Sequence, residues 1–245
     1  MLKVISSTIL YTAFISFLVG CSSTPQSKPE EAAGYNARLG AQYLQKGHLR
    51  LANEKLLKAL EQDEYSAEAN HYYALLQERL KQDLVAEKHF KRAISEKPKD
   101  PEINNNYGTF LCKMKDYPAA EKHFLRAIKD PLYSTPEFAL TNAGICAHES
   151  GHLSQAEDFL RRALKKKQNF PSALYAMAKL AYHRRDYARA QAFLFRYNGI
   201  AEQSANALSL CHAIHVQLGE IAKADECGNR LLEQFPNSSE ALSLK

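Results

Sequence analysis

Residues 86–94 read AEKHFKRAI and residues 120–128 read AEKHFLRAI, so nine residues return almost unchanged after an interval of 34. A third version, AEDFLRRAL, occupies 156–164. Aligned on the first alanine, the series is Ala52, Ala86, Ala120, Ala156, Ala190 and Ala224, with steps of 34, 34, 36, 34 and 34. Four residues on stand Leu56, Phe90, Phe124, Leu160, Leu194 and Gly228, and seven on stand Ala59, Ala93, Ala127, Ala163, Tyr197 and Leu231. Spacings of three, four and seven place side chains on one face of an α-helix. Upstream of each phrase a pair recurs, a large residue before a small one in Leu39-Gly40, Tyr73-Ala74, Tyr107-Gly108 and Met177-Ala178, with Ala143-Gly144 and Cys211-His212 in the other two repeats. Small residues let two antiparallel helices approach, and a large residue between them fills the groove that remains. Self-similarity at a fixed period signals an array of one supersecondary unit, each copy burying its neighbour's face.

The pattern resembles the tetratricopeptide repeat, a helix–turn–helix of 34 residues. The resemblance implies an all-α, right-handed superhelical solenoid of six repeats at 33–66, 67–100, 101–136, 137–170, 171–204 and 205–238, followed by a tail at 239–245. Gly47, Gly151 and Gly219 fall where the turn between paired helices wants a left-handed residue. The two extra residues fall in DPLYSTP, 130–136, a proline-bracketed turn. The sixth repeat departs most, with His212 and Gly228 where alanine and an aromatic are usual, as expected of a terminal unit whose outer face meets water.

The first twenty residues read differently. Lys3 is their only charge, and Val4 to Val19 is apolar apart from small hydroxyl residues and Tyr11. That run is short for a membrane span, which needs about 20 apolar residues, and suits the core of an export signal. It ends Leu18-Val19-Gly20-Cys21, which resembles the lipobox of bacterial lipoproteins. The resemblance implies a signal peptide at 1–20 and lipidation of Cys21, with several acyl chains giving a stable anchor. Ser22 after the cysteine, in place of aspartate, resembles the class sorted to the outer membrane. Residues 21–32, rich in polar side chains and holding Pro25 and Pro29, read as a flexible tether.

Removing the first 20 of 245 residues leaves 225, with 31 basic and 27 acidic side chains and a formal charge of +4. So weak an excess, spread along the chain, excludes a nucleic-acid partner as the expectation, since that calls for a concentrated basic face. No Gly-rich phosphate loop or nucleophile elbow is present, so neither a cofactor nor a small-molecule substrate is expected. Residues 148–152, HESGH, fit the H-E-x-x-H template in which His148 and His152 would hold zinc with Glu149 as base. Gly151 stands at the repeat's turn position, however, so His152 should lie beyond the helix end. A metalloprotease is therefore the less favoured reading, no metal is expected, and no enzymatic activity.

Besides Cys21 there are four cysteines. Cys112 and Cys146 fall on the first helices of neighbouring repeats, and an exported chain meets an oxidising compartment, so a Cys112–Cys146 bridge is expected. Cys211 and Cys227 fall on the two helices of the sixth repeat and are either a second bridge or buried thiols. In tetratricopeptide arrays the first helices line a concave groove. Positions two, five, nine, twelve and thirteen of each repeat should face it. These include Leu44, His71, Glu78, Arg79, Asn105, Lys113, Phe138, Tyr175, Tyr182 and His183. The lysine and asparagine of chaperone-tail clamps are replaced by Ala37 and Ala41, so an apolar segment is the expected ligand of the first repeat.

Lipobox, tether and six repeats together resemble the type IV pilus biogenesis lipoproteins of the PilF/PilW type. The resemblance implies a scaffold anchored by lipid to the periplasmic face of the outer membrane. It would bind a subunit of the pilus secretin and promote its localisation and multimerisation, and so support twitching motility. The alternative is a periplasmic tetratricopeptide adaptor for another envelope or cell-wall assembly. Repeats alone do not separate these, because fold does not fix function.

Overall fold

The computed structural model describes residues 28–244. Cys21 and the signal-peptide reading lie outside the described residues. Twelve helices form six antiparallel hairpins. They are α1 (Pro29–Gln45) with α2 (Leu49–Gln62), and α3 (Ala67–Arg79) with α4 (Asp83–Glu96). Next come α5 (Pro101–Lys113) with α6 (Tyr117–Lys129), and α7 (Pro136–Glu149) with α8 (Leu153–Lys166). The last are α9 (Pro171–His183) with α10 (Tyr187–Asn198), and α11 (Ala205–Gln217) with α12 (Ile221–Gln234). A single turn, α13 (Ser239–Leu242), follows. Among the described residues there is no strand, and no helix is long and apolar enough to cross a membrane.

Local chemistry explains the helix starts. Pro101, Pro136 and Pro171 open α5, α7 and α9, where a missing N–H costs nothing. Ser66, Asp100, Asp116, Asp186 and Ser204 accept from backbone N–H groups of the turns they cap. The tether expected at 21–32 ends sooner, because α1 begins at Pro29. Proline in the first turn, followed by Glu30 and Glu31 at the positive end of the helix dipole, starts the helix early. The tail expected at 239–245 is likewise partly helical. Ser238 caps α13, and Ala241 is buried against Leu208 and Leu231, closing the apolar end of the array.

One position sets every turn. Residues 47, 81, 115, 151, 185 and 219 follow the 34, 34, 36, 34, 34 series, and all six have positive φ. Three are glycine; Lys81, Lys115 and Arg185 adopt φ of 59°, 63° and 61° against the steric preference of side-chain-bearing residues. The helix–helix contact is as periodic. A Cβ on Gly40 would stand 2.6 Å from Leu56 Cγ, on Gly108 2.9 Å from Phe124 Cε1, and on Gly144 2.7 Å from Leu160 Cγ. The small residue upstream and the large residue of the phrase therefore occupy one shared space.

A second register is polar in the front half and apolar in the back. Asn36, Asn70 and Asn104 stand where Leu140, Leu174 and Leu208 stand later. The amide of Asn70 donates to Glu64 O and Ser66 O, and that of Asn104 to Pro98 O and Asp100 O. Their side-chain oxygens accept from His89 Nδ1 at 2.8 Å and His123 Nδ1 at 2.9 Å. Asn70 and Asn104 thus each tie the inter-repeat loop to both helices of their hairpin, whereas Asn36 joins Ala32 O of α1 to Gln62 Oε1 of α2. From the fourth repeat onward leucine performs the same joining by apolar burial.

Curvature follows from which helices touch. Successive odd-numbered helices bring their backbones together, from α1·α3 to α9·α11, whereas successive even-numbered helices meet only through long side chains, such as Arg189 Nη2 of α10 on Glu157 Oε1 of α8 at 2.8 Å. The backbone of each even helix approaches only its own hairpin partner and the next odd helix, apart from that of α12 with α13. The stack is closed on the odd side and splayed on the even side, which bends it into a superhelical solenoid with the odd helices inside.

Candidate functional site: the concave groove

The inner face is read at three positions of each odd helix. The ninth position, Ala41, Leu75, Thr109, Ile145, Lys179 and Ala213, is open or half-open along the whole array. The thirteenth, Gln45, Arg79, Lys113, Glu149, His183 and Gln217, is exposed throughout. The sixth supplies Arg38, Tyr72, Asn106 and Asn142 before closing at Ala176. Expectation missed this sixth position. The signal that could have found it is spacing: positions six, nine and thirteen are three and four residues apart and share one helix stripe.

The fifth position behaves otherwise. His71 is 3% exposed and Asn105 6% exposed, and Ala37 and Thr141 are also buried. They do not line the groove. Inner helices touch directly, and this position forms that contact: Asn106 Nδ2 donates to His71 Nε2 at 2.9 Å, and Asn142 Nδ2 to Asn105 Oδ1 at 3.0 Å. The position opens halfway only in the last two repeats, at Tyr175 and Ser209. Leu44 is also corrected: it is buried against Leu56 and Leu76, with one edge bordering the groove.

Two concavities break the inner face. One, about 650 Å³, lies between α1 and α3, lined by Arg38, Ala41, Tyr72, Leu75, Arg79 and Glu102 among others. Ala41, Leu44 and Leu75 give it an apolar floor, and Arg38, Arg79 and Glu102 give it a charged wall. Arg79 is fixed across it by a hydrogen bond from Nη1 to Leu44 O at 2.9 Å. Glu78 and Lys113 form an ion pair between the second and third repeats. The other concavity, about 560 Å³, lies between α7 and α9, lined by Ile145, His148, Glu149, Tyr175, Lys179 and His183 among others. His148 Nε2 and His183 Nδ1 meet at 2.7 Å, so one ring must offer an unprotonated nitrogen. Burial first, then the neighbouring His183 and Lys179, lowers the pKa of His148. Phe138, 45% exposed, stands edge-on to Phe170 at the start of α7. Tyr182 is half-buried and faces Tyr187 at 5.5 Å, inside the contact of the fifth hairpin. The two sites thus differ: the front one is charged, the rear one aromatic with imidazoles and a lysine.

The H-E-x-x-H geometry does not form. His148 is in the last turn of α7, Gly151 turns the chain with φ +83°, and His152 precedes α8. His152 Nδ1 instead meets Ser150 Oγ at 2.8 Å. His148 and His152 belong to separate helices, and the metalloprotease reading loses its ligand pair.

The cysteines are joined. Cys112 and Cys146 form a disulfide between α5 and α7 with a Cα–Cα distance of 5.8 Å. Cys211 and Cys227 form another between α11 and α12 with a Cα–Cα distance of 5.9 Å. The first links two inner helices across the insertion at 130–136.

No family model matches the chain. Over 230 residues it is 28% identical to the type IV pilus assembly protein PilF of Pseudomonas aeruginosa, spanning 91% of each chain. A crystal structure of PilW, described as a widely conserved type IV pilus biogenesis factor, superposes with a TM-score of 0.81 at 30% identity, covering 86% of this chain and 97% of that one. The Pseudomonas aeruginosa PilF structure gives a TM-score of 0.76 at 28% identity, covering 88% and 97%. A tetratricopeptide repeat protein of Parabacteroides merdae shares the fold, with a TM-score of 0.69 at 18% identity over 86% of this chain and 82% of that one. The repeat register, the hairpin count and these near full-length likenesses agree, and the chain belongs to the PilF/PilW family of tetratricopeptide-repeat proteins of type IV pilus biogenesis.

Proposed function

We propose that this chain is a non-enzymatic scaffold, anchored by lipid on Cys21 to the periplasmic face of the outer membrane, whose concave face holds a subunit of the pilus secretin. The observation that carries this reading is an inner face built from six odd helices and left open, in a chain of the PilF/PilW family. Such a face suits an extended protein segment, with main-chain length along the groove and side chains in its concavities. The lipid and the tether before Pro29 would hold the array at the membrane. A secretin subunit in the groove would then meet its fellows at raised effective concentration, which favours multimerisation without a chemical step.

Two substitutions at exposed groove positions test the binding face. Ile145→Glu and Lys179→Glu should abolish co-purification of secretin subunits and reduce secretin multimers in the outer membrane, with the helical circular dichroism unchanged. Cys21→Ala should mislocalise both the scaffold and the secretin. Normal secretin rings in that strain would reject tethered capture. Recovery of cell-wall enzymes, and not of secretin, on the intact protein would move the reading to an adaptor of another envelope assembly.

A further inference from the structure

The sixth repeat departs from the others at three positions that converge. Where the fourth repeat has Ala143, Ala147 and Phe159, and the fifth Met177, Ala181 and Phe193, the sixth has Cys211, His215 and Cys227. Cys211 and His215 are one turn apart on α11, and Cys227 faces them from α12. One ligand atom from each lies within 4.8 Å of the others, the one such grouping of three among the described residues. His215 Nδ1 is held by Glu220 Oε2 at 2.6 Å, which leaves Nε2 for another partner. A carboxylate on the far nitrogen of a histidine is the arrangement that orients metal-bound imidazoles. Glu220 is itself steadied by Lys223 Nζ at 3.1 Å and Gln191 Nε2 at 3.2 Å. The group borders a cavity of about 610 Å³, lined in part by Leu194, Phe195, Ile214 and Lys223, which gives a small ion or a reductant a way in.

We infer that Cys211, His215 and Cys227 form a zinc site in the reduced chain, exclusive of the Cys211–Cys227 disulfide. Two thiolates and an imidazole on rigid helices are a donor set that zinc prefers, with a fourth position left for water. The two states interconvert by thiol–disulfide exchange. A dithiol reductant gives two electrons and two protons to the Cys211–Cys227 bond and closes to its own disulfide. The two thiols then release their protons as both sulfurs bind Zn²⁺. Either state cross-links α11 to α12 at the end of the array, so the last hairpin stays clamped in a reducing or an oxidising setting.

The test uses the full chain, reduced with a phosphine, desalted without oxygen and titrated with Zn²⁺ against a chromogenic chelator. A parallel titration with Co²⁺ reads tetrahedral thiolate absorption. One zinc per reduced chain is expected, and none on the oxidised chain. Cys227→Ser and His215→Ala should each remove that zinc, Glu220→Gln should weaken it about tenfold to a hundredfold, and His152→Ala should leave it unchanged. Circular dichroism accompanies each variant; if Cys227→Ser unfolds, His215→Ala decides. A reduced chain that cannot compete with the chelator, or zinc that survives His215→Ala, overturns the site.

Discussion

His212 and Gly228 hold, in the sixth repeat, the space that Gly144 and Leu160 hold in the fourth, with the sizes exchanged. His212 Nδ1 meets Ala224 O at 2.9 Å, and a Cβ on Gly228 would stand 3.3 Å from the same nitrogen. The terminal repeat is therefore compensated at this contact: the larger residue has moved from the second helix to the first. This predicts an energetic coupling. Gly228→Leu alone should destabilise the chain, and adding His212→Ala should restore part of the loss, with a coupling of about 1 kcal/mol or more in a double-mutant cycle read by urea unfolding. Additive effects would show that the two positions do not share a space.

At Gly40 and Gly144 helix propensity and packing disagree, and packing should win. Alanine is favoured over glycine inside a helix by about 1 kcal/mol. Yet the added methyl would press on the branch carbon of a leucine that is 0% exposed, Leu56 or Leu160. Gly144→Ala is expected to lower stability by about 1–3 kcal/mol net. A gain in unfolding midpoint would refute the shared-space reading.

The turn position offers a purer test of backbone strain. Gly151 has φ +83°, and a Cβ there would meet nothing within 4 Å. Gly151→Ala should cost about 1 kcal/mol through the left-handed conformation alone. At Lys115, φ 63°, glycine should relieve that strain while adding freedom to the unfolded chain. Lys115→Gly is expected to fall between no change and a gain of about 1 kcal/mol, and a clear loss in thermal unfolding would contradict the account.

The buried histidines make stability depend on pH. Burial pushes the pKa of His71 down to about 4, and Asn106 donates to its Nε2, so the neutral ring is the one that fits. Burial likewise pushes His123 down to about 4. Unfolded histidine titrates near 6.5. As pH falls, the unfolded chain takes up the proton first, so this stability is full above about 6.5 and lost towards about 4. Between pH 7.5 and 4.5, His71→Gln should lose about 2–3 kcal/mol less than the native sequence. Equal losses in the two proteins would show that His71 does not carry the effect.

The Cys112–Cys146 disulfide spans 34 residues and links two inner helices. Replacing both cysteines by serine should cost about 2–4 kcal/mol. Because neighbouring repeats stabilise one another in series, the loss should appear as earlier amide exchange around α5 and α7. Exchange changing only at the chain ends would contradict this placement.

Periodicity determined the number of units and the pairing of small with large residues, and its resemblance to the tetratricopeptide repeat implied the helical hairpins and the turn position. Each of these depends on contacts within a hairpin or its nearest neighbour, so a local spacing carries the information. The sequence also placed Gly151 at a turn, which was enough to separate His148 from His152. Tertiary structure decided the rest. His71, Asn105 and Leu44 turned inward because successive inner helices touch, and a one-repeat pattern does not state how tightly repeats stack. The convergence of Cys211, His215 and Cys227, and the exchange of His212 with Gly228, depend on two helices meeting at a fixed angle. The groove itself arises from splay between even helices and closure between odd ones, a property of the stack that no single repeat contains.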